Sequence, residues 1–228
     1  MDSPRIQHPV TNENVKAIIA GLEPNSTDKI LAVCGSGDVA FALLEYADVV
    51  AVDISHQQVL YALGRKEALQ KGDNKKFLSV TGKELTEIEV ASKKERNNYF
   101  LEGDRMKRIS KRLSNLTILL GDDLTSELRP QTYSKVYLSN ILGINSVNFS
   151  DYCRYLREIG EQLRKPSLIY ISEKGTIDQG RLDAKTYGGR FGNLNDWPTE
   201  LTLDQRLSTN AKNHETFWKP EVYKFNAK

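Results

Sequence analysis

Short apolar runs alternate along the chain with segments of helical spacing, and this alternation constrains the fold more than any other feature. Residues 29–34 and 49–53 have the composition of buried strands, and residues 38–46 between them repeat apolar side chains with a helical period. Further strands are predicted at 115–120, 134–139 and 167–172, and a further helix at about 151–163. Strands that alternate with helices favour an α/β fold with a mostly parallel, doubly wound central sheet and helices on both faces.

Three flanking segments complete the predicted organisation. A helix is predicted at about residues 11–21, and a polar, mostly helical insertion at about 75–113, which is a candidate lid. Residues 216–225 resemble a terminal edge strand, because Pro220 cannot donate a ladder hydrogen bond. We expect residues 1–228 to form a single domain, since a chain of this length can bury a sizeable core.

Composition excludes several classes of site and partner. Cys34 and Cys153 are the two cysteines of the chain, too few for a disulfide framework or a four-cysteine zinc site, and no metal site is predicted. The net charge of +2 does not favour nucleic acid as a partner. We see no apolar run that could span a membrane and no signal-peptide core, so a cytoplasmic protein is expected, with peripheral membrane contact left open.

A glycine-containing loop and a strand-end acid form the candidate ligand site. The loop joins the first strand to the following helix and consists of Cys34, Gly35, Ser36, Gly37 and Asp38. Its glycines let backbone N–H groups approach a ligand, and Asp53, at the end of the next strand, is suited to accept hydrogen bonds from a ribose diol. A tight turn without a ligand is the alternative interpretation of the loop alone.

The loop lacks the G-x-G-x-x-G pattern that holds a dinucleotide pyrophosphate, which favours S-adenosylmethionine, a ligand without phosphate. Asp122 follows the third strand, where a carboxylate can accept from an adenine amino group, and Ser139 and Asn140 end the fourth strand, facing the reactive centre. An Asx turn or a helix cap is the alternative for Asp122 and Asp123. Asp123 or the phenol of Tyr137 is a candidate general base for a hydroxyl acceptor.

The same segments resemble the S-adenosylmethionine-dependent 3-amino-3-carboxypropyltransferases of betaine-lipid synthesis, which act on diacylglycerol. Residues 30–38 are similar to the family's opening strand and its S-G-G-D-N loop, and residues 50–58 to its A-V-D-I-N-P-x-Q segment. The resemblance covers residues 29–82 and 116–142. It implies a Rossmann-like class I S-adenosylmethionine-binding fold, and it adds Ile54 and Gln58 to the predicted donor-binding residues.

Three functions remain open on the sequence. Ala32 stands where ordinary class I methyltransferases carry an acid, and Asp38 replaces the final glycine of their loop, which favours aminocarboxypropyl transfer to a small-molecule or lipid hydroxyl or amine, with release of methylthioadenosine. The second is methyl transfer, with release of S-adenosylhomocysteine. The third is a non-catalytic subunit that binds S-adenosylmethionine or a partner.

Overall fold

The predicted alternation of strands and helices is present in a computed structural model, which describes residues 8–80, 84–121, 124–125, 128–139, 149–173, 196–215 and 218–226. Within these ranges, seven strands form one sheet. The strands are β1 (Lys29–Val33), β2 (Asp48–Asp53), β3 (Leu116–Leu120), β4 (Lys135–Ser139), β5 (Leu168–Glu173), β6 (Leu201–Leu203) and β7 (Lys219–Phe225).

The strand order of the sheet is β3-β2-β1-β4-β5-β7-β6. The first five of these strands are parallel to one another, whereas β7 is antiparallel to both β5 and β6. From β1 the chain proceeds outward through β2 and β3, and it then returns to β4 on the other side of β1. This reversal between β1 and β4 creates a topological switch point, where ligands bind at the carboxyl ends of the strands in open parallel sheets.

Eight α-helices are described. They are α1 (Val15–Leu22), α2 (Asp38–Leu44), α3 (His56–Gln70), α4 (Asn74–Leu78), α5 (Glu87–Leu101), α6 (Arg105–Ser110), α7 (Phe149–Gln162) and α8 (Gln205–Lys212). Side chains fix where several of them begin: Ser55 accepts a hydrogen bond from the backbone N–H of Gln58, and Thr86 and Glu89 form a capping box. The helix boundaries therefore follow from local sequence.

The sheet is buried on both faces, which explains the continuous apolar runs of its central strands. Alternate residues of β1 point to opposite sides, so that Ile30 and Ala32 contribute to one hydrophobic cluster and Leu31 to the other. The first cluster includes residues of α1, α2, α3, α5, α6 and α8, and the second includes Leu156 and Ile159 of α7. The predicted doubly wound arrangement is confirmed.

The predicted terminal strand is present as β7, but its predicted position at the edge of the sheet is wrong. Strand β7 lies between β5 and the short edge strand β6, which has three residues and was too short to give a period-2 pattern. Pro220 is nevertheless tolerated, because β6 pairs only with residues 223–225 and does not reach it. At Pro220, β7 is paired on one side alone, with Ser172 of β5.

The helices of the insertion are part of the hydrophobic core. Phe77 and Phe100 have no exposed surface, and their rings form an edge-to-face chain with Phe41 of α2, with centroids 5.1 Å apart in both pairs. Arg105 and Arg108 form ion pairs with Glu45, at the end of α2. The insertion therefore packs as part of a helical layer beside α2 and α3.

We expect Gly160→Ala to destabilise the protein by about 1–3 kcal/mol, the usual cost of overpacking a core. A Cβ at this position of α7 would lie 2.0 Å from the ring of Phe225, which closes the core on that face. Urea unfolding measures the change. Gly64→Ala in α3 is the matched control, since a Cβ there meets no atom within 4 Å, and it should stabilise the protein by about 0.5–1 kcal/mol. Equal changes in the free energy of unfolding for the two variants would contradict the close packing of Gly160 against Phe225.

Candidate functional site

The loop after β1 has the backbone geometry that its glycines predict. Gly35 and Gly37 have φ values of +50° and +84°, which are unfavourable for residues with a Cβ. A Cβ at Gly37 would lie 3.0 Å from Phe41 and 3.1 Å from Ala62, so this glycine also allows close packing. Beside Gly35, in contrast, there is no atom within 4 Å of an added Cβ. The loop is therefore packed from below and open at Gly35.

Asp53 faces this open position from the end of β2. Its Oδ2 accepts a hydrogen bond of 2.8 Å from the backbone N–H of Gly35, and its Oδ1 accepts one of 2.9 Å from that of Ser55. Burial raises the pKa of the Asp53 carboxyl above its ordinary value, although these two hydrogen bonds act in the opposite direction. Each carboxylate oxygen has two acceptor positions, so the group can still accept hydrogen bonds from a ligand.

Two large apolar side chains are exposed beside Asp53. Ile54 is 74% exposed, and Leu120, at the end of β3, is 53% exposed and lies opposite Asp53 in the sheet register. An exposed pair of this kind next to a carboxylate offers an apolar surface and a polar anchor at the same strand ends. Such a combination is typical of small-molecule sites, which pair apolar walls with a few placed polar groups.

Asp38 supports the loop from below. Its side chain is completely buried, and its Oδ1 lies 2.7 Å from Arg65 Nη2 and 3.5 Å from Arg96 Nη1. Its Oδ2 accepts hydrogen bonds from the hydroxyl of Ser36 and the backbone N–H of Thr11. Burial alone would raise the pKa of this carboxyl, but the two guanidinium groups and the hydrogen bonds lower it. The sequence predicts ligand contact by Asp38, whereas the structure gives it contacts within the protein.

An N-terminal strap, residues 8–14, crosses the carboxyl edge of the sheet. At its start, His8 exchanges two backbone hydrogen bonds with the Gln58 side chain, which donates through Nε2 at 2.9 Å and accepts through Oε1 at 3.3 Å. The hydroxyl of Tyr61 donates to the carbonyl of Pro9 at 3.0 Å. Gln58, a predicted donor-binding residue, is 1% exposed and binds the strap in this structure.

The strap continues over the loop and beyond β5. Its Thr11 N–H donates to Asp38, as described above, and its Asn12 carbonyl accepts a hydrogen bond of 3.0 Å from Trp218 Nε1, just before β7. One short segment thus connects α3, the loop after β1 and the start of β7. The strap therefore crosses the carboxyl ends of the strands from one side of the switch point to the other.

Of the remaining predicted site residues, two lie in strand β4 and three lie outside the described residues. Tyr137 is 2% exposed, and its ring lies against that of Tyr170 with centroids 5.8 Å apart. Ser139 is the last residue of β4. Asp122, Asp123 and Asn140 lie outside the described residues.

The cysteine of the loop is a core residue. Cys34 is 3% exposed, and burial, together with the nearby Asp53 carboxylate, raises the pKa of its thiol well above the ordinary range. A buried thiol with a raised pKa is a poor nucleophile. The backbone N–H of Cys34 donates to the carbonyl of Val52 at 2.8 Å. Among the described residues, no group of three or more His, Cys, Asp or Glu side chains could hold a metal ion. In the same part of the chain, no helix is both long and apolar enough to cross a bilayer.

Solved structures share this architecture. N-methyltransferase NodS from Bradyrhizobium japonicum WM9, in complex with S-adenosyl-L-homocysteine, has a TM-score of 0.52 and 9% identity, and the match covers 94% of this chain and 86% of that chain. TrmN from Thermus thermophilus has a TM-score of 0.51 and 13% identity, with 92% and 48% covered. This chain has a Rossmann-like methyltransferase fold.

Sequence comparisons add nothing to this result. No family model matches the chain, and no curated protein matches it. The chain spans 48% of the length of TrmN and 34% of that of a coclaurine N-methyltransferase, which matches with a TM-score of 0.42, 16% identity and 70% of this chain covered. The likeness to the methyltransferases is therefore one of fold.

Sequence reasoning missed the supports of the site. Arg65 lies in α3 and Arg96 in α5, and both are nearly completely buried. The Arg65 guanidinium carbon lies 4.6 Å from the ring centre of Phe77, and its Nη1 donates to the carbonyl of Ser36 at 2.8 Å. The available signal was that each arginine occupies the buried stripe of its own helix. The strap offered no such signal, because its bonds are made mostly by backbone groups.

Asp38→Asn should destabilise the methyltransferase-like fold by about 3–5 kcal/mol at neutral pH, because it removes the charge that compensates two buried guanidinium groups. The lowered pKa means that this stabilisation is present above the unfolded-state pKa, about 3.9, and is lost as the pH falls through the folded-state value. Urea unfolding at several pH values measures the free energy of unfolding of both proteins. The difference in this free energy between the variant and the original protein should become smaller in acid.

Asp48→Asn is the control for this prediction. Its carboxylate is 48% exposed and lies 3.2 Å from Arg112, so the change should cost less than about 1 kcal/mol. If Asp38→Asn lowers the free energy of unfolding no more than Asp48→Asn does, the proposed support of the loop by Asp38 is contradicted.

Proposed function

We propose that this protein is an S-adenosylmethionine-dependent transferase that binds the nucleoside of its donor at the loop after β1. The observation that carries the proposal is the Asp53 carboxylate, which faces the open side of Gly35 at the switch point of a methyltransferase-like sheet. A ribose diol presents two donors side by side, and a carboxylate has acceptor positions for both. The backbone N–H groups of Gly35 and Ser55 hold the carboxylate in place before the ligand arrives.

The exposed apolar side chains beside Asp53 support the same proposal. A nucleoside joins a sugar with hydroxyl donors to a flat, largely apolar base, and the site offers a carboxylate flanked by Ile54 and Leu120. We assign the base to this surface, where burial of apolar area favours binding. Asp122 stays a proposed acceptor for the adenine amino group.

We propose 3-amino-3-carboxypropyl transfer as the reaction, on the strength of the sequence resemblance. Nucleophilic attack at the γ-carbon of the methionine arm breaks its bond to sulfur and releases methylthioadenosine. The acceptor is a small-molecule or lipid hydroxyl or amine, and Asp123 or Tyr137 stays the proposed base for a hydroxyl acceptor. The carbon that reacts is the one that the site holds in line with the nucleophile, so orientation of the methionine arm decides the product.

Methyl transfer is the second candidate function, because the solved structures that share the fold include the N-methyltransferase NodS in complex with S-adenosyl-L-homocysteine. The two reactions use the same donor and the same nucleoside pocket, and they differ in the nucleoside product. The Asp53 site serves either function.

Asp53→Ala should weaken S-adenosylhomocysteine binding by about 1–3 kcal/mol, the cost of leaving hydrogen-bonding groups of the ligand unpaired. Isothermal titration calorimetry measures the change. Glu67→Gln, on the exposed side of α3, is the control and should leave the affinity unchanged, since its side chain is 56% exposed and pairs with Lys71. Unchanged affinity in Asp53→Ala would rule out the ribose assignment.

The group that is transferred can be identified from the nucleoside product. We expect the protein, incubated with S-adenosylmethionine and a panel of amine and hydroxyl acceptors that includes diacylglycerol, to release methylthioadenosine, detected by mass spectrometry. The Asp53→Ala variant is the control for spontaneous donor breakdown. Enzyme-dependent S-adenosylhomocysteine would establish methyl transfer instead, and absence of both products would favour the non-catalytic subunit.

A further inference from the structure

The strap places two polar residues, Asn12 and Glu13, beyond the loop after β1, on the side of the sheet where β5 and β7 lie. Its Asn12 is fixed by Trp218, and at its end the backbone N–H of Asn14 donates to Glu215 Oε2 at 2.9 Å. Glu13 lies between them and is 5% exposed. Two carboxylates, those of Glu13 and Glu215, are therefore held at the carboxyl end of the sheet, where α1 begins.

Two buried hydroxyl groups of β5 lie on the same side of the sheet. Tyr170 and Ser172 are two residues apart and share a face of the strand, and both have no exposed surface. Neither hydroxyl has a hydrogen-bond partner in the described part of the protein. The Tyr170 ring is fixed against α1, where a Cβ at Gly21 would lie 2.6 Å from it.

Unpaired buried hydroxyls are uncommon, because each loses its hydrogen bonds to water without replacement. Burial raises the pKa of the Tyr170 phenol well above its ordinary value, and the charges of Glu13 and Glu215 raise it further. Glu215 is held at this end of β5, because its Oε1 accepts a hydrogen bond of 3.4 Å from the backbone N–H of Trp218, and the next residue, Lys219, pairs with Glu173 of β5. The Oδ1 atom of Asn12 is a further buried oxygen without a partner among the described residues.

We propose that this cluster of Asn12, Glu13, Tyr170, Ser172 and Glu215 is a binding site for a cationic amine. An ammonium group has three N–H donors and no acceptor, and it is matched by hydroxyl and amide oxygens in a negative field. A carboxylate or phosphate ligand would be repelled by the two glutamates. The unpaired hydroxyl oxygens of Tyr170 and Ser172 are the acceptors to which such a ligand would donate hydrogen bonds.

The place of the cluster in the sheet connects it with the proposed reaction. Strand β5 is separated from β1 by β4 alone, so its carboxyl end lies about 10 Å from the donor loop, at the usual spacing of neighbouring strands. Two amines are the candidate ligands of this site: the α-ammonium group of the donor itself, or an amine acceptor. Both assignments rest on the proposed function, whereas binding of a free amine does not.

The first experiment compares two nucleosides that differ in the amino acid arm. S-adenosylhomocysteine carries the α-ammonium group and methylthioadenosine does not, so the ratio of their dissociation constants isolates that arm. If the cluster holds the donor amine, Glu13→Gln should reduce the preference for S-adenosylhomocysteine about tenfold, as expected for loss of a charged hydrogen bond, and leave methylthioadenosine binding unchanged.

The second experiment uses free amines and no nucleoside. If the cluster holds an amine acceptor, putrescine should raise the melting temperature more than 1,4-butanediol does at equal ionic strength, and Glu13→Gln should abolish that difference. Tyr170→Phe should likewise weaken the amine effect without lowering the stability of the free protein, because it removes an unpaired hydroxyl. Tyr223→Phe is the matched control, since its hydroxyl donates to Glu221.

The outcomes distinguish the donor ammonium group from an amine acceptor, and they distinguish failure of the amine site from failure of the proposed transferase function. A changed nucleoside preference assigns the cluster to the donor, and a lost putrescine effect assigns it to the acceptor. The proposal is overturned if Glu13→Gln and Tyr170→Phe alter neither measurement. Failure of both nucleosides to bind would contradict the proposed function, and the putrescine comparison would then decide the amine site alone.

Discussion

The site depends on one buried carboxylate. Asp38 compensates the charges of Arg65 and Arg96, and each arginine belongs to a different helix. Because two guanidinium groups in a dry core are costly without a counter-charge, removing Asp38 would unbalance α3 and α5 together. The same carboxylate accepts from Ser36 in the loop and from Thr11 in the strap. Insertion, loop and strap are therefore positioned by a single group.

Two acids near the carboxyl ends of β1 and β2 therefore have different roles, one at the start of α2 and the other at the end of β2. Asp38 is satisfied within the protein and its pKa is lowered, whereas Asp53 is partly exposed, its pKa is raised and it keeps free acceptor positions. The first acid makes the loop rigid, and the second faces the opening that the loop leaves. In the proposed function, Asp53 binds a ligand with hydroxyl donors, and the ion pairs of Asp38 beneath it stay intact.

Features of the fold that depend on local sequence pattern can be predicted from the sequence. The strands at 29–34 and 49–53 and the position of Asp53 follow from apolar runs and strand ends, and the structure confirms them. Long-range pairing could not be predicted. The place of β7 inside the sheet depends on a three-residue partner, and the burial of Asp38 depends on arginines from two other helices.

The proposed donor site holds the nucleoside of S-adenosylmethionine between the loop after β1 and the end of β2. A crystal structure of the protein with S-adenosylhomocysteine tests it directly. We expect the ribose hydroxyls to lie within hydrogen-bond distance of the Asp53 carboxylate, with the base against Ile54 and the Asp38 ion pairs intact. Nucleoside bound elsewhere, or ribose hydroxyls directed away from Asp53, would contradict it.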